Sequence, residues 1–397
     1  MSGANSTYIV TLGNVSNTGA PQMAVYYATA LREAGYRVLL AHGGSEQERA
    51  DSRILVDMNK AGVECHYIAD MAMPFRASLP RRVAALAGSQ CSAVIGFTQR
   101  DRCVALLAAA QRGAAGVLSV QNQHVFNGFG PIPWLKERYY RNMLQRHCEL
   151  ALCTSEIVIE EMAVRFGLDR ARLKALPNGI DVARFGSAGA AERLAVRSEH
   201  GVAADTELLL AVGRLEPQKG THDLVEAFGQ LAERHPRMEL WIAGGISTGA
   251  AARRSAEFAA SVESLIQKLG LQERIKLLGE VRDIPALHAA ADLYVHPAHW
   301  EGWPLALMEA MAAGKPAIFT DCFGVLEGFE ERVHGCCVPT RRVDQFTAAI
   351  DWMLSQSRRQ REQIGRAGQQ LVREHYSIAT TSKRFVKEVE AAAAGAS

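Results

Sequence analysis

The sequence predicts an α/β protein that contains two doubly wound, mostly parallel sheets. Short apolar runs typical of buried strands alternate with helical patterns along most of the chain. This alternation lapses between Asn178 and Asp205, where Gly, Ala and charged residues mix, and then restarts. At 397 residues the chain is also too long for one ordinary hydrophobic core. We therefore expect domains at residues 1–178 and 206–376, a linker at 179–205, and a cleft between the domains.

The individual elements follow from the apolar runs and the turns that bound them. A helix at 22–34, ended by Gly35, is predicted after the first strand. The final helix, 377–390, has apolar residues at helical spacing and can pack on either domain, and the alanine-rich tail beyond it is expected to fray. Strands are expected at 8–12, 38–41, 66–68, 93–97, 117–120, 150–154 and 175–177, and then at 208–212, 239–243, 275–278, 293–296, 317–320 and 337–338.

Residues 296–321, HPAHWEGWPLALMEAMAAGKPAIFTD, form the most informative stretch. They read as the end of a buried strand, a turn-rich loop, a helix, and the next strand. The helix is expected to begin at Pro304, whose fixed φ suits the first helical position, and to end before Gly314. In such a unit the loop lies at the carboxyl end of its first strand, where open α/β sheets bind ligands.

Two carboxylates lie on this unit, Glu301 just before the helix and Glu309 in its second turn. The backbone N–H groups of residues 303–306 are expected to be unsatisfied donors at the positive end of the helix dipole, which predicts a phosphate site. Carboxylates accept hydrogen bonds from sugar hydroxyls, so the two Glu residues can flank such a phosphate. The alternative is that Glu301 is an ordinary loop carboxylate and Glu309 a solvated helix residue.

Four other strand ends carry candidate ligand groups. The Gly-rich loop at 13–19 can bring backbone N–H groups close to a phosphate, but it is neither a P-loop nor G-x-G-x-x-G, so a dinucleotide enzyme is poorly supported. Arg214 and Lys219 follow the first strand of the second domain, where two cations can neutralise a diphosphate leaving group; ordinary surface charge is the alternative. Gly244 ends a further strand, and the backbone at 279–281 can read a nucleobase edge.

Composition and cysteine arrangement limit the class of protein. The net formal charge of +2 argues against nucleic-acid binding driven by bulk charge. None of the eight cysteines is spaced as C-x-x-C or stands beside His at a zinc-site spacing, so we expect reduced apolar fillers and no metal site. The N-terminus lacks a signal-peptide pattern and no apolar run approaches the roughly 18 residues of a membrane span. We expect a cytoplasmic location, including the cytoplasmic face of the inner membrane.

Taken together, the motifs GRLEPQKG, IAGG, LGEVRDIP, LPNGIDVARF and the 296–321 stretch resemble the GT-B glycosyltransferases of the group 1, or GT4, family. The resemblance spans nearly the whole chain and is strongest in the second domain. It implies two Rossmann-like domains facing each other across a cleft, with the acceptor on the N-terminal side and the nucleotide-sugar on the C-terminal side. It also implies that residues 377–397 comprise a helix that crosses back to the N-terminal domain and a frayed tail.

The resemblance assigns roles to matching positions. Glu301 would contact the donor sugar and Glu309 the nucleotide ribose, while Arg214 and Lys219 would bind the donor diphosphate. Glu301, Arg214 and Lys219 would thus carry catalysis. The remaining donor contacts implied are Gly19, Gly244, Gly279, Val281, Gly302, Trp303, Pro304 and Leu305, with Trp303 standing where Phe is commoner.

One position departs from the family pattern. Many relatives have a catalytic His at the end of the strand that here reads VLSVQNQHVF, but the aligned residue is Gln121. His124 lies three residues on, and either residue is a candidate for this position and for the acceptor site. The alternative for His124 is a hydrogen-bonded structural histidine.

The predicted helix at 133–147 is basic and amphipathic. It carries Trp134 and Leu135 together with Lys136 and Arg138. Such helices can rest on anionic lipid, and the alternative is a packed helix with a solvated basic side.

The implied function is transfer of a hexosyl group from a nucleotide-sugar, a UDP-sugar in preference to a GDP-sugar, to a glycan or lipid-linked acceptor, with retention at the anomeric carbon and without a metal or other cofactor. Bacterial polysaccharide or lipopolysaccharide biosynthesis is the expected context. The alternatives are a same-fold nucleotide-sugar epimerase or phosphorylase, and a non-catalytic partner subunit that binds a sugar nucleotide or lipid. The sequence does not determine the sugar, the acceptor, the linkage or the oligomeric state.

Overall fold

The structure, a computed structural model, describes residues 6–16, 19–71, 76–88, 90–99, 101–122, 131–186, 189–247, 252–324 and 326–396. The chain divides into two compact units. Unit 1 comprises Met1–Gly179 and Ile378–Ser397, and unit 2 comprises Ile180–Ser377.

Unit 1 contains, within the described residues, a seven-stranded parallel sheet. Its strands are β1 Thr7–Leu12, β2 Arg37–His42, β3 Glu64–Tyr67, β4 Cys91–Gly96, β5 Ala115–Val120, β6 Leu150–Cys153 and β7 Leu173–Ala175. Its helices before the unit boundary are α1 Gly19–Glu33, α2 Glu46–Ala50, α3 Arg53–Lys60, α4 Ser78–Leu86, α5 Arg102–Arg112, α6 Pro131–His147 and α7 Glu156–Glu160. The strand order is β3-β2-β1-β4-β5-β6-β7. Ile9 and Val10 are both fully buried on opposite faces of β1, as expected when helices cover both faces of a sheet.

Unit 2 contains a six-stranded parallel sheet in the described part of the chain. Its strands are β8 Glu207–Val212, β9 Met238–Ala243, β10 Ile275–Gly279, β11 Leu293–His296, β12 Ala317–Thr320 and β13 Cys336–Val338. Its helices are α8 Val182–Gly186, α9 Ala190–Glu199, α10 Thr221–Leu231, α11 Ala252–Lys268, α12 Ile284–Ala290, α13 Leu305–Ala312, α14 Val343–Ser355 and α15 Arg358–Tyr376. The strand order, β10-β9-β8-β11-β12-β13, reverses direction between β8 and β11.

Each predicted strand overlaps an observed one, but β3, β4 and β7 begin two residues earlier than predicted, and boundaries of other elements differ as well. α1 begins at Gly19 rather than at residue 22, so part of the predicted glycine-rich loop is helical. α13 begins at Leu305, and Pro304 (φ −85°, ψ 79°) precedes the helix instead of opening it. Gly314 adopts a positive φ of 70° just after α13, as its predicted role in ending the helix requires.

The segment predicted as a linker, 179–205, is almost entirely part of unit 2. Two arginines of α9 anchor it to the C-terminal end of α12. Arg193 donates hydrogen bonds to the carbonyls of Ala290 and Ala291 (2.7 and 3.0 Å), and both Arg193 and the buried Arg197 pair with Asp292 (2.6 and 3.1 Å). Cations at a helix C-terminus satisfy its last carbonyls and complement its dipole, which composition alone did not reveal.

The last helix, α16 Ile378–Ala396, belongs to unit 1. Phe385, Val389 and Ala393 are spaced four residues apart and lie in the core of that unit, where Phe385 stacks on Tyr27 with ring centroids 4.2 Å apart. The predicted fraying of the tail is wrong for residues 391–396, which continue the helix. Alanine has the highest helix propensity, and Ala393 adds a buried contact.

Candidate functional site

The most strongly organised polar group in unit 2 lies at the switch point of its sheet. The chain leaves β8 toward one edge of the sheet and β11 toward the other, so these adjacent strands form a topological switch point, where open α/β sheets bind ligands at the carboxyl ends of the strands. The loop after β8 carries Lys219 and the loop after β11 carries Glu301. The two loops are joined by a backbone hydrogen bond from His299 N to Gln218 O (2.7 Å).

Lys219 and Glu301 form an ion pair between Nζ and Oε1. Both side chains are largely buried, with 19% and 11% of their surface exposed. His296, the last residue of β11, lies beneath them with its Nε2 3.6 Å from the same Glu301 oxygen, and its Nδ1 is 3.4 Å from the hydroxyl of Tyr294. The structure therefore brings together two residues that the sequence placed in separate motifs, and adds a buried histidine to them.

The charge states of this group follow from its surroundings. Burial opposes ionisation of Glu301, but the neighbouring His296 and the charge of Lys219 outweigh it and lower the pKa of Glu301 to about 2. Burial lowers the pKa of His296, against the opposing effect of Glu301. At neutral pH the group is therefore a carboxylate facing an ammonium, with a neutral imidazole behind the carboxylate.

Arg214 lies in the same loop as Lys219 but is held differently. Its Nη1 donates to Ser247 Oγ at 2.8 Å and lies 3.0 Å from Glu216 Oε1, while Ser247 Oγ also donates to Glu216. The Arg214 side chain remains 58% exposed. The predicted diphosphate-binding arginine is thus oriented by two neighbours and still open to a ligand.

Glycine residues allow the ends of β9 and β10 to lie close to the loop after β8. Gly244 donates to the carbonyl of Gly279 (2.7 Å), and a Cβ at Gly244 would collide with the carbonyl of Gly213. Gly279 has a positive φ of 66°, and Val281 packs against the core of unit 2. The Gly279 carbonyl is therefore already engaged, which leaves less of the predicted nucleobase-reading backbone available.

The N-terminus of α13 agrees with the predicted phosphate site only in part. The amide of Leu305 donates to the carbonyl of Trp303 (3.1 Å), so it is not the unsatisfied donor that the sequence predicted. Gly302, Trp303 and Pro304 are all buried. The indole of Trp303 packs on Tyr376, with ring centroids 5.2 Å apart, and its Nε1 is buried without a hydrogen-bond partner among the described residues.

Glu309 lies half-buried on α13, with α8 packed against the same helix. Burial raises the pKa of Glu309 to about 7, and the charge of Arg184 on α8 offsets part of that rise. It is therefore not the solvated helix carboxylate of the alternative interpretation. Near neutral pH it exists as a mixture of the acid and the carboxylate.

In unit 1 the corresponding switch point lies between β1 and β4. The loop after β1 is held by Asp101, which is fully buried and accepts hydrogen bonds from Gly13 N (3.0 Å) and Thr11 Oγ1 (2.5 Å). Asp101 also accepts from the backbone N–H groups of Phe97 and Thr98 (3.2 and 3.1 Å). α1 begins at Gly19, which places this residue among the first helical N–H groups.

The structure describes one of the two candidates for the position that departs from the family pattern. Gln121 is buried directly after β5, where its Nε2 donates to Ser119 Oγ (2.6 Å). Its Oε1 is buried without a hydrogen-bond partner among the described residues. His124 lies outside the described residues.

Known families match both units. Residues 18–184 match the family described as "Glycosyltransferase Family 4", and residues 192–371 match the family described as "Glycosyl transferases group 1". The chain belongs to the group 1 (GT4) glycosyltransferases. Its fold is accordingly GT-B.

Among the relatives, the mannosylfructose-phosphate synthase of Agrobacterium fabrum is 30% identical over 47% of the chain and 40% of its own length. The matched part of the chain spans about half the length of the curated relatives. Two solved structures superpose over nearly the whole chain. Anabaena Alr3699/HepE, determined in complex with UDP, has a TM-score of 0.81 at 20% identity and covers 97% of this chain and 100% of its own. WaaG, described as a glycosyltransferase involved in lipopolysaccharide biosynthesis, has a TM-score of 0.66 at 18% identity and covers 96% of this chain and 98% of its own.

Three residues at the two switch points were not singled out from the sequence: His296 and Glu216 in unit 2, and Asp101 in unit 1. His296 ends a strand that was predicted correctly, so its position at the carboxyl edge carried a usable signal. Glu216 follows β8 as Arg214 does, but its contact with Ser247 depends on the pairing of β8 with β9. Asp101 had no such signal, because the pairing of β1 with β4 brings Thr11 and Gly13 to it. Among the described residues there is no group of three or more His, Cys, Asp or Glu arranged to hold a metal ion.

Proposed function

We propose that this protein is a retaining glycosyltransferase that transfers a hexosyl group from a nucleotide-sugar, a UDP-sugar in preference to a GDP-sugar, to a glycan or lipid-linked acceptor. The Lys219–Glu301 ion pair at the switch point of unit 2 carries the proposal. A nucleotide-sugar carries a diphosphate next to a sugar. The ion pair suits such a ligand, because a cation that can bind the diphosphate lies beside an ionised carboxylate that can bind sugar hydroxyls.

In this proposal Lys219 and Arg214 bind the donor diphosphate. As the bond from the anomeric carbon to the diphosphate breaks, negative charge grows on the leaving oxygen, and fixed cations stabilise it without reorganisation. Arg214 is already oriented by Ser247 and Glu216, so little side-chain entropy is lost when it binds. These two cations supply the positive potential, and the proposal requires no metal ion.

Glu301 is proposed to accept hydrogen bonds from hydroxyls of the transferred sugar. Its low pKa keeps it ionised, and a carboxylate offers several acceptor sites beyond the one that Lys219 occupies. Glu309 is proposed to accept from the ribose hydroxyls, and the backbone of Gly279 and Val281 to frame the base. Gly244, Gly302, Trp303, Pro304 and Leu305 are proposed as further donor contacts through their backbone, Gly19 as a phosphate contact of unit 1, and Gln121 and His124 as candidates for the acceptor side.

The preference for a UDP-sugar is supported by HepE, whose structures were determined with UDP and with UDP-glucose. A role in bacterial polysaccharide or lipopolysaccharide biosynthesis is supported by the fold shared with WaaG. Such acceptors are assembled at the inner membrane, so we place the protein in the cytoplasm, at or near the cytoplasmic face of that membrane.

Helix α6 is the proposed contact with lipid. Trp134 and Leu135 are 58% and 55% exposed, and the exposed Lys136 and Arg138 lie beside them. Arg165 pairs with Glu137 (2.9 Å) and Arg141 donates to the carbonyl of Arg165, so the other side of α6 is attached to unit 1. An indole with neighbouring cations suits the interface of an anionic bilayer. None of the helices in the described residues is long and apolar enough to cross a bilayer.

The test is transfer of label from UDP-glucose, GDP-glucose and ADP-glucose to bacterial glycan and lipid fractions, with and without EDTA. We expect an acceptor-dependent product from the UDP-sugar that survives EDTA. Conversion of the donor without acceptor would instead support an epimerase, and loss of transfer in EDTA would contradict metal-independent catalysis.

A further inference from the structure

A cavity in unit 2 lies next to the donor loops and shares Glu216 with them, but its lining includes neither Lys219 nor Glu301. It encloses about 450 Å³, within the range of small-ligand sites. It lies between the start of α10, the start of α11 and the loop after β11. Its lining includes Gln218, His222, Arg254, Phe258, Trp300 and Arg341.

Charged side chains of both signs line this cavity. Its two carboxylates are already engaged, Glu216 by Arg214 (3.0 Å) and Asp223 by His299 (2.9 Å). The two arginines, Arg254 and Arg341, are exposed and form no ion pair with any residue that the structure describes. Guanidinium groups bind phosphate and carboxylate through paired hydrogen bonds, so these two arginines favour an anionic ligand.

The aromatic side chains indicate that the ligand also has an apolar face. Trp300 is 39% exposed at the rim of the cavity, although large apolar side chains are usually covered. Phe258 and His222 pack together with ring centroids 4.7 Å apart. The C–H face of a pyranose ring packs well against such rings, while Gln218 and His222 offer hydrogen bonds to hydroxyls.

We propose that this cavity binds an anionic saccharide, either a sugar phosphate or a sugar carboxylate. The site is separate from the Lys219–Glu301 pair, but Gln218 and Trp300 directly precede those two residues in the chain. The proposal goes beyond the transfer reaction and does not depend on it.

Calorimetric titration of the purified protein tests the proposal, with glucose 6-phosphate and glucuronate as probes and glucose and inorganic phosphate as comparisons. We expect at least one anionic sugar to bind at least about tenfold more tightly than glucose and than phosphate. The better of the two probes identifies the anion. Binding of neither probe, or binding of inorganic phosphate as tight as that of glucose 6-phosphate, would overturn the proposal.

Variants locate the site. The double variant Arg254→Ala/Arg341→Ala should bind the anionic sugar at least about tenfold more weakly, since it loses both charge-assisted contacts. Arg253→Ala is the matched control, because Arg253 lies on the same helix, is 92% exposed in its side chain and does not line the cavity. Trp300→Ala should reduce the preference for glucose 6-phosphate over phosphate. Equal binding by the double variant and the wild type would place the ligand elsewhere and overturn the assignment.

A UDP titration of the same samples separates this proposal from the proposed function. The double variant should bind UDP like the wild type, because neither arginine belongs to the donor site. A protein that binds UDP but no anionic sugar refutes only the second site.

Discussion

Each sheet places a carboxylate at the point where its strand order reverses, but Asp101 in unit 1 and Glu301 in unit 2 have different surroundings. Asp101 is fully buried and accepts hydrogen bonds from backbone and hydroxyl groups of the loops after β1 and β4. Glu301 is 11% exposed, has one cationic partner and lies 3.6 Å from a histidine. The acceptor sites of Asp101 are occupied within the fold, whereas Glu301 keeps some for a ligand.

The pKa values of the two carboxyl groups are shifted in opposite directions from their ordinary values. Burial raises the pKa of Asp101, and the hydrogen bonds from Thr11, Thr98 and Gly13 offset only part of that rise. Burial also opposes ionisation of Glu301, but His296 and the charge of Lys219 outweigh it and lower the pKa of Glu301 to about 2. The comparison indicates that Asp101 holds the loops of unit 1 in place, whereas Glu301 and Lys219 are charged groups that remain available to bind a ligand.

The largest expected effect is on stability, from Asp101→Ala. Removing the carboxylate leaves the N–H groups of Phe97 and Thr98 without their acceptor and takes one of two acceptors from Gly13 N, at a cost of roughly 2–6 kcal/mol in total. We expect the melting temperature of unit 1 to fall sharply in calorimetry. Asp51→Ala, which alters an exposed carboxylate of the same unit, is the control. If the two variants melt together, Asp101 does not hold these loops.

Glu301→Gln should affect transfer activity more than stability, whereas Asp101→Ala acts mainly on stability. The introduced amide keeps the shape and one acceptor but loses the charge, so we expect transfer to fall by about 10²–10³-fold. The melting temperature should fall less than for Asp101→Ala, since the pair lies at an edge that water can reach. Glu233→Gln, at an exposed position after α10, serves as the control. Full transfer activity in Glu301→Gln would remove this residue from the mechanism.

The smallest effect expected is a pH dependence that arises from Glu309. Because the ribose hydroxyls donate to its carboxylate form and its pKa is about 7, UDP-glucose should bind about tenfold more tightly at pH 8 than at pH 6. UDP-glucose is the right probe, since it lacks a terminal phosphate that titrates in this range. Glu309→Gln should make the affinity independent of pH. An unchanged pH profile in that variant would assign the titration to another group.

Without ligand, the same group acts on stability in the opposite direction. The pKa of Glu309 is higher in the folded protein than its ordinary value of 4.5, so the folded form binds the proton more tightly. The free energy of unfolding of unit 2 therefore falls as pH rises from about 4.5 to about 7. This loss should be absent in Glu309→Gln.

The strands and the fold were predictable because apolar runs of four to six residues between turns are a local signal. The ends of the helices were less predictable. α1 begins at Gly19, a poor helix former, and α16 runs through an alanine tail whose helix propensity is supported by the buried contact of Ala393. The 179–205 segment was misassigned because the sequence does not show that Arg193 and Arg197 contact the C-terminus of α12.

The site was predictable where residues follow strand ends and not where they meet across the sheet. Lys219 and Glu301 each follow a predicted strand, so their common location at the switch point could be inferred. Their direct ion pair could not, because β8 and β11 are separated by two other strands in the sequence. The same limit applies to Asp101, whose partner Thr11 lies 90 residues away.

The most direct test of the central claim, that Lys219 and Glu301 form a donor site, is calorimetric titration of UDP-glucose into the wild type and Lys219→Ala. The account predicts binding to the wild type and a loss of roughly 10–100-fold in Lys219→Ala, the worth of a charge-assisted contact to the diphosphate. Lys268→Ala, at the exposed end of α11, should bind like the wild type. Equal affinity of Lys219→Ala and the wild type, or no binding to a folded wild type, would contradict the account.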